Sequence, residues 1–254
     1  MESILKDQTA LVTGASRGIG RAIAIALAAE GARVILHYNK NNIAAEETLS
    51  EMEGSKHVLI QADLSDPEAV HDMVEKLLKE LGPIHVLVNN AGIYEESDML
   101  ELNYEEFREY FSNTMNTNLV GPANLSFLLI KDMVQHGGGR IINITSRGAF
   151  RGEPFAVAYG ASKAGMNSMG QSMAVALASK GILVYTIAPG FVETDMTTHI
   201  LDGPSGDAIR NQSPLHRVAR PEEIAGNVVY LAAEAPEYMT GCIIDVNGAS
   251  YLRS

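Results

Sequence analysis

The chain has 254 residues, 46% apolar and 20% charged, with Cys242 as its one cysteine. That balance is typical of a globular domain large enough to bury a core without cross-links, and a lone thiol excludes an intrachain disulfide. The formal charge of −12 comes without any basic block, which argues against nucleic acid or an anionic membrane as main partner.

No apolar run reaches the roughly 20 residues needed to span a bilayer, and residues 1–8 lack a signal-peptide pattern, so a cytoplasmic location is expected. Strand-like and helix-like segments alternate along the chain. Strands are predicted at residues 10–13, 33–37, 57–61, 86–89, 140–144, 183–187 and 243–246. They are continuous Val/Ile/Leu-rich runs, as parallel strands covered on both faces require. Helices are predicted at 18–30, 43–52, 67–81, 104–134, 159–180 and 222–233, the second only weakly amphipathic. Pro67 after Ser65-Asp66, and Pro221 before Glu222-Glu223, are helix start signals. The alternation predicts a single α/β domain, a doubly wound (Rossmann) parallel sheet of about seven strands with helices on both faces. Residues 194–220 alone lack a period; with Gly203, Pro204, Gly206 and Pro214 they are read as a substrate lid.

Thr13-Gly14-Ala15-Ser16-Arg17-Gly18-Ile19-Gly20 joins the first strand to the first helix. Glycines there allow a tight turn and let backbone N–H groups approach a pyrophosphate, while the helix N-terminus adds favourable partial charge. Such a pattern also fits an ordinary turn, but its place between strand and helix at the start of the fold favours a dinucleotide. In these folds an acid near the end of the second strand bonds the ribose 2′-OH and selects NAD. Here that strand ends His37-Tyr38-Asn39-Lys40, with no carboxylate to repel a 2′-phosphate. Arg17 is placed to pair with such a phosphate. NADP(H) is therefore the expected cofactor, with NAD(H) as the alternative.

Tyr159 and Lys163 stand four apart, on one face at the start of a helix. A free phenol titrates near 10, and a neighbouring ammonium favours its ionised form, moving Tyr159 toward an acid/base role. Ser146 follows the fifth strand at its carboxyl end, where open parallel sheets place ligands. Its hydroxyl can donate to a substrate carbonyl; Thr145 is the local competitor.

These motifs, with Asn89-Asn90-Ala91-Gly92 after the fourth strand, Asp63 after the third, Pro189-Gly190 and Thr194 after the sixth, and Val246-Asn247-Gly248 near the end, resemble the short-chain dehydrogenase/reductase family over nearly the whole chain. The resemblance implies a cofactor site built from Gly14, Ser16, Arg17, Gly18, Ile19, Gly20, Tyr38 and Asn39. Asp63 and Leu64 would hold the adenine end, and Asn90, Ala91 and Gly92 would line the middle. Pro189, Gly190, Val192 and Thr194 would cradle the nicotinamide, beside Tyr159 and Lys163. It also implies a catalytic set of Asn118, Ser146, Tyr159 and Lys163. In that set Asn118 holds a water that links Lys163 to solvent, with Asn116 as its rival. A homotetramer is implied too, allowed here by Ala174, Ala176 and Ala178.

Within the family the look is that of 3-oxoacyl-[acyl-carrier-protein] reductases, on the octet and on Ala188-Pro189-Gly190-Phe191-Val192-Glu193-Thr194-Asp195-Met196. An acyl-thioester substrate is implied. A free ketone, sugar or polyol is the alternative, and a non-catalytic dinucleotide sensor is a third reading. Lys180 matches one basic carrier-protein contact, whereas Gly137 replaces the other, and the interval from Asn90 to Asn118 is about one helical turn longer than in that reductase. Arg147 and Arg151 add positive charge near the mouth of the site. No His-Glu-x-x-His, thiol cluster, glycosidase carboxylate pair or Gly-x-Ser-x-Gly is present, so no metal is expected.

Overall fold

The computed structural model describes residues 3–253. Seven strands form one parallel sheet in the order β3-β2-β1-β4-β5-β6-β7. They are β1 (Thr9–Val12), β2 (Arg33–Tyr38), β3 (Val58–Gln61), β4 (Val86–Asn89), β5 (Gly139–Ile144), β6 (Ile182–Pro189) and β7 (Ile243–Val246). The order reverses between β1 and β4, whose registers pair Leu11 with Leu87 and Val12 with Val88. That reversal opens a crevice at the carboxyl edge, the usual ligand position of such sheets.

Because side chains alternate across a strand, each strand feeds two cores. Val34 and Leu36 join the core under α1 (Gly18–Ala29), α2 (Asn42–Glu51) and α9 (Pro221–Ala233). Ile35 joins the opposite core, which holds residues of α3 (Pro67–Leu81), α5 (Gly121–Gln135) and α6 (Val157–Leu177). The continuous apolar runs in the sequence are the consequence. Asp66 caps α3 by accepting from the Glu68 and Ala69 N–H groups, with Pro67 as first helical residue.

The helix predicted over 104–134 is interrupted. α4 (Tyr104–Met115) runs into a wider π turn, Asn116–Val120, before α5 continues. Pro122 lies inside this stretch; it lacks an N–H, and its ring crowds the carbonyl four residues back, that of Asn118. The wider turn relieves that conflict, with Gly121 N–H reaching the Asn116 carbonyl. Residues 194–220, without a period in the sequence, hold two short helices, α7 (Asp195–Leu201) and α8 (Gly206–Arg210). The base of this segment is tied by an isolated parallel bridge between Val192 and Ala219. Among the described residues no helix is long and apolar enough to cross a membrane.

Candidate active site

The glycine turn is held by its own neighbours. Gly14 and Gly18 have φ of +61° and +55°, values that side chains other than glycine seldom adopt. A Cβ on Gly20 would lie 2.2 Å from the Gly14 carbonyl oxygen and 2.4 Å from Asn90 Nδ2, so only glycine fits there. Asn90 Nδ2 donates to the carbonyls of Thr13 (2.8 Å) and Gly14 (3.2 Å), while Thr13 Oγ1 accepts from the N–H groups of Asn90 and Ala91. The Thr48 hydroxyl donates to the Ser16 carbonyl. Asn90 and Ser16 thus shape the cradle from behind. The first turn of α1 has no side-chain cap, which leaves its N–H groups for an anion. The residues therefore fit a dinucleotide pyrophosphate.

Arg17 is exposed at the N-cap position, and it makes no ion pair among the described residues. Tyr38 is buried at the end of β2 and donates its hydroxyl to Asn42 Oδ1 at 2.6 Å; Asn39 and Lys40 are exposed beside it. Asp63 follows β3, and its Oδ1 accepts from the N–H and hydroxyl of Ser65. Those bonds hold its carboxyl below the usual carboxylate range. Leu64 is buried, its carbonyl packed against Gly121. Pro189 and Gly190 end β6, Val192 is buried, and Thr194 packs against Gly18 across the crevice. Ile19 reaches into the same cleft as Pro189, Gly190, Val192 and Thr194.

The cluster at the chemical end is compact. Tyr159 and Lys163 share the first turns of α6, and the Lys163 Nζ lies 5.7 Å from the Tyr159 ring centroid. Lys163 is 3% exposed and donates to the Ile144 carbonyl at 3.0 Å. Burial disfavours its charge and lowers its pKa to about 8. Burial pushes the Tyr159 phenol up, the Ser146 hydroxyl pulls it down and the Glu153 carboxylate pushes it up. Thr145 lines the same cleft as Ser146, but its hydroxyl donates to the Ile187 carbonyl at 3.1 Å. The Ser146 hydroxyl accepts from Gly148 N–H and faces the cleft with Tyr159. Asn116 is exposed, whereas Asn118 is fully buried in the π turn. Asn118 Oδ1 accepts from Ile93 N–H at 2.8 Å, and its Nδ2 donates to the Ile93 carbonyl and Ser162 Oγ. A Cβ on Gly92 would meet both Asn118 Oδ1 (3.2 Å) and Lys163 Nζ (3.3 Å), so Gly92 keeps these two groups side by side.

Three further residues were not singled out by the sequence. His37 is buried, accepts from Gly14 N–H at Nδ1 (3.2 Å) and donates from Nε2 to the Ala62 carbonyl (3.1 Å). It clamps the glycine turn to the end of β3, and burial lowers its pKa to about 4. Its signal was a polar residue inside the apolar run Val34-Ile35-Leu36. Tyr94 stands edge-on to Tyr159, with ring centroids 5.0 Å apart. Glu153 lines the cleft beside Ser146 and Tyr159, and nothing in its sequence surroundings marks it. No cluster of metal-ligating side chains occurs among the described residues.

Comparison with known proteins settles the family. A family model described as enoyl-(acyl carrier protein) reductase matches residues 14–249. The chain is 37% identical over 247 residues to a 3-oxoacyl-[acyl-carrier-protein] reductase of Synechocystis sp., covering 96% of this chain and 97% of that one. It is 38% identical to the reductase of the same name from Escherichia coli, over 97% of this chain and 98% of that one. The chain belongs to the short-chain dehydrogenase/reductase family. It is an oxidoreductase of a nicotinamide-linked family, with the expected single Rossmann-like domain. A crystal structure of a candidate gluconate dehydrogenase from Agrobacterium tumefaciens superposes with a TM-score of 0.91 at 31% identity, covering 98% of both chains.

Proposed function

We propose that this protein transfers hydride between NADP(H) and a carbonyl or secondary alcohol, with Tyr159 as the group that gives or takes the proton. The observation that carries the reading is the meeting of two hydroxyls, Ser146 and Tyr159, in one cleft above a buried Lys163. A bound nicotinamide supplies or accepts the hydride. Ser146 donates a hydrogen bond to the carbonyl oxygen and orients it. Tyr159 gives its proton to that oxygen as negative charge develops there, and in the oxidative direction it takes the proton back. Lys163, charged below a pH of about 8, stabilises the phenolate that remains. Asn118, locked to Ile93 and set beside Lys163, keeps the ammonium in place and gives a re-protonating water its anchorage.

NADP(H) is favoured by exposed Arg17 and Lys40 beside a β2 end without a carboxylate. The adenine end falls to Asp63 and Leu64, the nicotinamide end to Pro189, Gly190, Val192 and Thr194. Residues 194–220 act as a lid, since Met196, Thr197 and Ile200 of α7 already wall the cleft. A cytoplasmic enzyme fits the single, unpaired Cys242. Exposed Val175 on α6 and Phe127 on α5 offer the apolar surface a homotetramer needs; Ala174, expected on that face, instead lies in the core.

By name the relatives above act on a 3-oxoacyl thioester, one of the carbonyl classes the hydride-transfer reading admits, and two converging hydroxyl groups suit a C=O rather than a C=C acceptor. NADPH and NADH oxidation with an acetoacetyl thioester and with a ketone, sugar and polyol panel tests the reading. Turnover with NADPH preferred over NADH is the expected result. Tight NADPH binding with no turnover on any carbonyl would identify a dinucleotide sensor instead.

A further inference from the structure

Glu153 sits between Ser146 and Tyr159 in the chain, on the loop ahead of α6, and among the described residues it is the one carboxylate lining the cleft. Its side chain is 22% exposed, and its oxygens accept no hydrogen bond among the described residues. The nearest cation, Arg151 Nε, stands 4.0 Å from Oε1, and Arg151 turns its own Nη1 toward Gln212. Arg147 also borders the cleft but is 3% exposed and stacked 5.0 Å over the Phe191 ring. Its two terminal nitrogens are engaged by Ser250 and Gln212. The cleft's cation is therefore tied up in the wall, and its carboxylate is left open.

An ionised carboxylate offers about four lone-pair sites, and a substrate that fills the cleft displaces water from them, so one that brings its own hydroxyl donors is favoured over one that brings none. The wall is also shaped around this side chain: a Cβ on Gly148 would lie 3.2 Å from Glu153 Cγ. A 3-oxoacyl chain carries no donor for these oxygens near its reacting carbonyl, whereas a polyhydroxylated ketone carries several. We infer that Glu153 is a specificity-determining residue that accepts hydrogen bonds from substrate hydroxyls, which makes the substrate an uncharged polyhydroxylated ketone or the matching polyol. The negative charge that draws hydroxyl donors also repels carboxylate- and phosphate-bearing substrates. The inference rests on the hydride-transfer reading of the cleft and selects the substrate class within it.

Carbon-matched pairs test it: erythrulose against 2-butanone, ribulose against 2-pentanone and fructose against 2-hexanone, each with NADPH, alongside an acetoacetyl thioester. The expected result is that at least one hydroxylated ketone exceeds both its deoxy partner and the thioester in kcat/KM by roughly tenfold or more. In Glu153→Gln that ratio falls by roughly tenfold, mainly through KM for the hydroxylated member. Glu153→Ala serves if the glutamine variant misfolds, and NADPH affinity measured by fluorescence confirms an intact cofactor site in either. Preference for the thioester or the deoxy ketones overturns the inference while leaving hydride transfer standing. So does a Glu153 variant that lowers both members of a pair equally. No turnover on any of these carbonyls overturns the hydride-transfer reading and this inference with it.

Discussion

The two halves of the crevice are built differently. On the cofactor side, polar groups are closed upon one another: Thr13 with Asn90 and Ala91, His37 with Gly14 and Ala62, Thr48 with Ser16. On the substrate side, the Ser146 and Tyr159 hydroxyls and the Glu153 carboxylate border open space. A slot for a cofactor shared by a whole family can be finished in advance, with backbone N–H groups as its contact surface. The other wall, carried on loops and the short helices α7 and α8, presents side-chain atoms rather than backbone N–H groups to its ligand.

The difference can be broken most sharply at Lys163, where the halves meet. Lys163→Met is expected to lower kcat/KM by roughly hundredfold or more. Its urea-unfolding stability at pH 7 should not fall, because an apolar chain replaces a cation whose burial is disfavoured. Loss of stability together with activity would make the lysine a structural residue. Next in size, Gly20→Ala drives a Cβ into the Gly14 carbonyl and Asn90. It should cost about 3 kcal/mol and most NADPH affinity. By contrast, Gly152 on the substrate side has open space around its missing Cβ, so Gly152→Ala should stay within about 0.5 kcal/mol.

His37 gives a pH signature to the cofactor side. Its folded pKa of about 4 lies below its ordinary value of 6.5, so the unfolded chain binds the extra proton first as the pH falls. The stability its neutral form supports is fully present above pH 6.5 and lost as the pH falls to about 4, a total of about 3 kcal/mol. In His37→Asn, urea midpoints should lose that part of the slope between pH 6.5 and 4.5. An unchanged slope would show that the ring is not the titrating group. A smaller loss confined to cofactor choice is expected at Arg17: Arg17→Ala should raise KM for NADPH roughly tenfold and leave NADH nearly unchanged, as read from initial rates.

Much of this was legible in the sequence, for physical reasons that also explain what was not. Buried parallel strands must be continuously apolar, so β4 and β7 fall at the predicted residues, and the others differ by one or two at their ends. The Tyr159–Lys163 pairing is local to one helix, and chain order alone placed Ser146 near it. The π turn escaped notice because Asn116–Val120 stays within one helical run with no Gly or Pro of its own, and only Pro122 just beyond it interrupts the hydrogen bonding. His37 looked like one of seven scattered histidines, since its partners Gly14 and Ala62 are distant in sequence. Glu153 was hidden for a different reason: it is close in sequence to Ser146 and Tyr159, but only the folded arrangement turns it into their cleft.

Single-turnover NADPH oxidation by Tyr159→Phe, with NADPH affinity measured on the same sample, tests the proton-transfer assignment most directly. The phenylalanine ring preserves the packing against Tyr94 and removes only the hydroxyl. A hydride-transfer rate reduced by roughly hundredfold or more at near-unchanged NADPH affinity is the expected result. Near-full turnover by a folded, cofactor-binding Tyr159→Phe variant would contradict it.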